Sequence, residues 1–122
     1  AKGGLNAIRA EENYYTTSAC TNVHANVSAR QNFIEQIGHT VYVSFAIDIT
    51  GAINNDTVLM NVPAQFRPGN TKTSMFALLD INDTRIRVAS NNIRMTTNGN
   101  ITQTLTNTWS SGYIEALFIY QI

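Results

Sequence analysis

The chain predicts an all-β domain, and three observations carry that expectation. The segment VYVSFAIDIT alternates strictly, with Val41, Val43, Phe45, Ile47 and Ile49 on one side and Tyr42, Ser44, Ala46, Asp48 and Thr50 on the other. That is the period of a half-buried strand. Short apolar segments recur between clusters of Asn, Gly, Asp and Ser, the punctuation of antiparallel strands. No stretch carries a convincing 3.6-residue period. Together these predict an antiparallel β-sandwich or barrel of about seven to nine strands.

Taken in order, GGLNAIRAEENYY reads as irregular with an extended end, and FIEQI as either strand or a single turn. After VYVSFAIDIT, GAINND has turn chemistry. TVLMNV then alternates again, with Val58, Met60 and Val62 on one face, as the hairpin partner or a neighbour of the preceding strand. SMFALLDI and TRIRVA form a strand pair across Asn82-Asp83-Thr84. NIRMT and NGNITQTL follow, and Asn98-Gly99 between them is the strongest short hairpin signal in the chain. In the last segment Ile114, Ala116, Phe118, Tyr120 and Ile122 share one face, while Leu117 and Ile119 lie on the other. Both faces of this strand therefore call for cover, from a central place in a sandwich or from another subunit.

Composition limits the partners. The 122 residues are enough for one domain, and eight basic residues balance eight acidic ones. Charged residues are 13% of the chain, and Lys and Arg are scattered singly, so neither a nucleic-acid stripe nor a basic membrane helix is expected. Fifteen Asn and fifteen Thr supply a neutral polar surface. The longest apolar run, EALFIYQI, is far below the roughly 20 residues of a membrane helix. Ala1-Lys2-Gly3-Gly4 leads into no apolar signal core, and a start at Ala rather than Met suits a processed or excised piece. Four Asn-x-Ser/Thr sequons, at Asn26, Asn55, Asn82 and Asn100, are about what this composition gives by chance.

Cys20 is the single cysteine, so no internal disulfide forms and stability rests on the core or on assembly. A nucleophile reading would pair it with His24, four residues on; the plainer reading is a small buried thiol.

The two prolines of the chain bracket one Phe-Arg pair in NVPAQFRPGN, residues 61–70. Pro63 ends the preceding strand and holds Val62 extended, and Pro68 does the same to Arg67. Ala64 and Gln65 can turn between them, leaving Phe66 to plug an end of the core. The segment reads as a rigid corner. Arg67 either caps loop carbonyls there or contacts a ligand.

VPAQFRPGN, preceded by GHTVYVSFAIDIT and followed by NGNI, SSGYIEALF and the terminal IYQI, resembles the C-terminal head domain of bacteriophage tail-fibre and baseplate receptor-binding proteins. The resemblance covers residues 28–122, the β head, and leaves residues 1–27 as an extended segment or neck end joining it. It implies a homotrimeric knob on the virion, outside the cell, that adheres to the host by binding a saccharide of the bacterial cell envelope alongside other tail or baseplate proteins.

Sugars stack on aromatic rings and share hydrogen bonds with Asp, Asn, Arg and His. DINDTRIR supplies Asp80, Asn82, Asp83, Arg85 and Arg87, just after the corner, where related heads place part of their sugar site. Period two puts Asp83, Arg85 and Arg87 on one face, which could equally be an ordinary solvated strand face. Trp109 in TNTWSSGY is a stacking platform or a core or subunit-contact residue. His24 and His39 read first as satisfied structural residues, with His39 kept among the saccharide candidates. No zinc spacing is present, and DINDT lacks the Gly and the acidic residue of a calcium loop, with Arg85 and Asn91 in their places. Neither metal nor cofactor is expected. A glycan depolymerase needs two suitably spaced carboxylates. Asp80 and Asp83 alternate across a strand, so the expectation is a binding module that is not an enzyme. A structural connector of the same fold is the alternative.

Overall fold

The computed structural model describes residues 14–81, 85–88, 93–104 and 110–122, with the backbone alone over 76–81 and 85–88. Among these residues ten strands follow one another: β1 (Tyr15–Ser18), β2 (Val27–Ile37), β3 (Thr40–Ile49), β4 (Val58–Asn61), β5 (Lys72–Thr73), β6 (Phe76–Ile81), β7 (Arg85–Val88), β8 (Ile93–Met95), β9 (Asn100–Gln103) and β10 (Gly112–Gln121). They form two antiparallel sheets, one ordered β1-β2-β3-β10-β6-β7 and the other β4-β9-β8-β5. The all-β expectation holds. Neither sheet closes on itself among the described residues, which sets the closed-barrel alternative aside.

Both sheets contribute to one core. Val41, Val43, Phe45, Ile47 and Ile49 of β3 and Ile114, Ala116, Phe118 and Tyr120 of β10 are buried. Leu59, Met60, Ile93, Met95 and Ile101 from the smaller sheet join the same cluster. Each large side chain so buried contributes about 1.5–3 kcal/mol. β10 lies between β3 and β6, so its backbone is paired on both edges. Its second face is only partly covered: Leu117 is half-buried, while Ile119 is 39% exposed. Ile122, expected inward, is 44% exposed, because the strand stops at Gln121.

Two bulges explain where the alternation broke down in the sequence. Val27 and Ile34 are both buried, yet they are an odd number of residues apart, which strict period two forbids. The β2–β3 register shifts between Ala29 and Gln31, leaving Arg30 as the extra residue. One inserted residue restores the phase, so both apolar side chains reach the core. FIEQI is thus the end of an eleven-residue strand. A second shift lies between Val58 and Met60. It buries the consecutive Leu59 and Met60 and leaves Val58 38% exposed, where simple alternation had grouped Val58 with Met60.

β4 does not pair with β3, contrary to the hairpin expectation. It joins β9 in the other sheet, because both edges of β3 are taken by β2 and β10. The connection turns through Asp56 at φ 62° and buries Ile53 on the way. The β6–β7 and β8–β9 pairs form as expected. The latter closes through a Thr96–Gly99 turn (Gly99 N to Thr96 O, 2.9 Å) and a Thr96 N to Asn100 O bond of 2.9 Å. Gly99 sits at φ 85° and Asn98 is not in the left-handed region. Asn98-Gly99 thus serves a three-residue loop with a glycine bulge rather than a two-residue turn.

The corner folds as its prolines dictate. Ala64–Phe66 form a single 3-10 turn after Pro63, Arg67 is extended before Pro68 (φ −71°, ψ 140°), and Phe66 is buried. Arg67 donates from Nε to Val62 O (2.9 Å) and from its terminal nitrogen to Asn61 Oδ1 (3.0 Å). Asn61 in turn donates to Asn98 O and Asn100 Oδ1, while Val62 N donates to Gly99 O at 2.8 Å. The Tyr120 hydroxyl donates to Phe66 O at 2.5 Å. Corner, hairpin loop and final strand, three of the segments that carry the family resemblance, are therefore tied in one knot, with Arg67 as a structural latch.

Candidate functional site

The expected saccharide residues separate into groups. Asp80 lies in β6, and Arg85 and Arg87 in β7, paired by backbone as Ile81 with Arg85, Leu79 with Arg87 and Asp80 with Ile86. Asn82, Asp83 and Trp109 lie outside the described residues. His39 is exposed in the β2–β3 turn, where its carbonyl accepts from Ile122 N at 2.9 Å. β3 runs from that turn toward Asp48, which places His39 roughly 30 Å of extended chain from the far end of the sheet.

At that far end Tyr113 is paired with Asp48 on β3 and with Asp80 on β6. Ser110 and Ser111 lead into β10 just before it. The topology thus directs β6 and the chain after Trp109 to one end of the larger sheet, and leaves His39 at the other.

A cluster that the sequence reading did not single out occupies this end. The bulge leaves Arg30 as an extra residue between Ala29, paired with Ile47, and Gln31, paired with Ala46, an insertion of the kind that re-aims side chains. Arg30 Nε donates to Asp48 Oδ2 at 2.7 Å, and its guanidinium carbon lies 4.9 Å from the centre of the Tyr113 ring. The Tyr113 hydroxyl donates to Glu115 Oε2 at 2.8 Å, and Gln31 donates to Ser44 Oγ at 3.2 Å. Ala46 is also paired with Glu115, so a small residue separates the longer ones.

The site is open to water: the Arg30 and Asp48 side chains are 63% and 34% exposed. As an exposed pair, screened by water, they contribute little to stability. The bond to Asp48 raises the Arg30 pKa further above its ordinary value, so the guanidinium is cationic throughout the physiological range. Desolvation, then the bond to Glu115, raises that of the Tyr113 hydroxyl, which remains a neutral donor and acceptor. Among the described residues, the Arg30 terminal nitrogens, Asp48 Oδ1 and Glu115 Oε1 take no further protein hydrogen bonds. Fixed donors and acceptors beside an aromatic ring suit a polyhydroxylated ligand. The odd spacing of the apolar Val27 and Ile34 was the available signal for this cluster, since Arg30 appears in the sequence as one scattered charge.

The Cys20–His24 pairing has no geometric basis. Residues 20–24 are not a strand, and Asn22 turns the chain at φ 51°. His24 Nδ1 accepts from Asn26 N at 3.0 Å. Cys20 is buried, with its backbone held by both ends of the Asn32 amide, and burial pushes its thiol up to about 12. A thiol so raised is a core side chain rather than a nucleophile.

No family model matches the chain, and no curated protein matches it.

Proposed function

We propose that the protein is a receptor-binding head of a bacteriophage tail fibre or baseplate, which attaches the virion to its host through a cell-envelope saccharide and performs no catalysis. The observation that carries this reading is the knot of Asn61, Phe66, Arg67, Gly99 and Tyr120. It joins in space three separate segments through which the sequence resembles that family. The neutral Asn- and Thr-rich composition and the open polar cluster on the larger sheet support a binding role. In this reading the two sheets are the layers of a β-sandwich, and three copies assemble into a knob. The outer face of the larger sheet, with Phe33, Ile37 and Ile119 exposed by 40, 42 and 39%, supports assembly, since apolar side chains clustered on one surface favour contact with another chain.

Binding to isolated host cell walls and to a saccharide array tests the function. A structural connector, the alternative use of the same fold, would ignore both. Release of reducing sugar would show a depolymerase instead. Light scattering tests the knob, and a mass of about 13.5 kDa at micromolar concentration would refute the trimer.

A further inference from the structure

We infer that the bulge-built cluster of Arg30, Asp48, Tyr113 and Glu115 is a saccharide subsite that selects uncharged sugar units over phosphorylated or acidic ones. This rests on the saccharide-binding reading and adds both a place and a ligand class to it.

Placement comes first. A bulge is an interruption that a strand tolerates when phase or function requires it. Here it meets both needs, because it keeps Val27 and Ile34 in the core and delivers an extra long side chain outward. Arg30 is then held from two sides, by Asp48 at 2.7 Å and by the Tyr113 ring. A side chain already held in place gives up less freedom when a ligand arrives. The free guanidinium nitrogens can donate to sugar oxygens, while Asp48 Oδ1 and Glu115 Oε1 can accept from adjacent hydroxyls. Vicinal hydroxyls, which donate and accept together, match such a mixed set.

Charge then decides the class. Arg30 is offset by Asp48, and Glu115 adds a second carboxylate within the same group, so the four side chains sum to one negative charge. Asp80 occupies the β6 position paired with Tyr113. A phosphate or uronate would meet a guanidinium already engaged by a carboxylate and would face two like charges. A neutral hexose or N-acetylhexosamine meets no such repulsion.

The test is calorimetric titration and saturation-transfer NMR with neutral probes, N-acetylglucosamine and glucose oligosaccharides, and anionic ones, a glycerol phosphate polymer and a uronate oligosaccharide. Wild type should bind a neutral probe and bind the anionic ones at least about tenfold more weakly. Arg30→Ala and, independently, Tyr113→Phe should weaken the neutral probe, Arg30→Ala by about tenfold or more, the size of a lost charged hydrogen bond. Asp48→Asn with Glu115→Gln should narrow or reverse the preference against anionic probes. Unchanged thermal unfolding shows that each variant is folded. Neutral binding that Arg30→Ala and Tyr113→Phe leave intact would overturn the site and leave the saccharide reading standing. A wild-type preference for the anionic probes would overturn the ligand class. Binding of no saccharide at all would overturn the receptor-binding reading together with this one.

Discussion

Replacing Gly99 with Ala tests whether the corner and the hairpin loop are one structural unit. Gly99 is buried at φ 85°, and a Cβ there would lie 2.4 Å from Val62 O, 2.7 Å from Arg67 Nε and 3.2 Å from Arg67 Cγ. The left-handed conformation alone costs a residue with a Cβ about 1–2 kcal/mol. The contact with Val62 O cannot be relieved by a side-chain rotation, because that carbonyl is backbone and accepts from Arg67. Moving it loosens that bond and the Val62 N to Gly99 O bond, at about 1 kcal/mol each. The expected loss is therefore about 3–4 kcal/mol, a large share of the 5–15 kcal/mol typical of a folded domain. Urea denaturation should show a lowered midpoint with unchanged slope. Arg67→Ala alone should cost about 1–2 kcal/mol, since it leaves Val62 O without its side-chain donor. The double variant should cost less than the sum by about 1 kcal/mol, because two of the three close contacts belong to Arg67 itself. A Gly99→Ala protein within about 0.5 kcal/mol of wild type, the range of an ordinary surface change, would refute the packing argument. Strict additivity in the double variant would refute the latch.

Three further outcomes follow from the same structure. Tyr120→Phe should lower stability by about 1–3 kcal/mol in urea, because the buried Phe66 carbonyl loses its 2.5 Å donor; no change would show that water replaces the hydroxyl. Deleting Arg30 should abolish cooperative unfolding, or nearly so, by throwing Val27 or Ile34 out of phase with the core, whereas Arg30→Ala should leave the urea midpoint close to that of wild type; equal effects would mean that the bulge is not what sets the phase. Stability should also fall in alkali. Cys20 rises on folding from 9.0 to about 12, so its contribution is complete below pH 9. Between those values the folded state keeps a proton that the unfolded state has lost, which lowers stability by up to about 1.4 kcal/mol per pH unit. Tyr120, raised from 10.0 by burial, adds to the slope above pH 10. Thermal unfolding against pH should therefore be flatter in Cys20→Ala between pH 9 and 10, and an unchanged slope would exclude the thiol as its source.

Where local sterics decide, the sequence was sufficient. Strict alternation over residues 41–49 set the buried face of β3, since successive side chains in an extended chain must point to opposite sides. Proline's fixed φ and missing donor determined the corner, its 3-10 turn and the extended Arg67. The Asn98-Gly99 signal located the β8–β9 hairpin, although the loop proved one residue longer than a two-residue turn. What crosses the chain was not legible. The choice of β9 over β3 as partner for β4 depended on which strand edges remained free. The two bulges arose because apolar residues at odd spacing had to share one core, a demand felt only once the sheets pack. Arg67, equally a ligand contact or a cap by sequence, became a latch because the hairpin loop brought Gly99 against Val62. Arg30, Asp48, Tyr113 and Glu115 are a scattered quartet in the chain. Strand pairing sets them side by side, and only the tertiary structure, which fixes that pairing, could show them as one cluster.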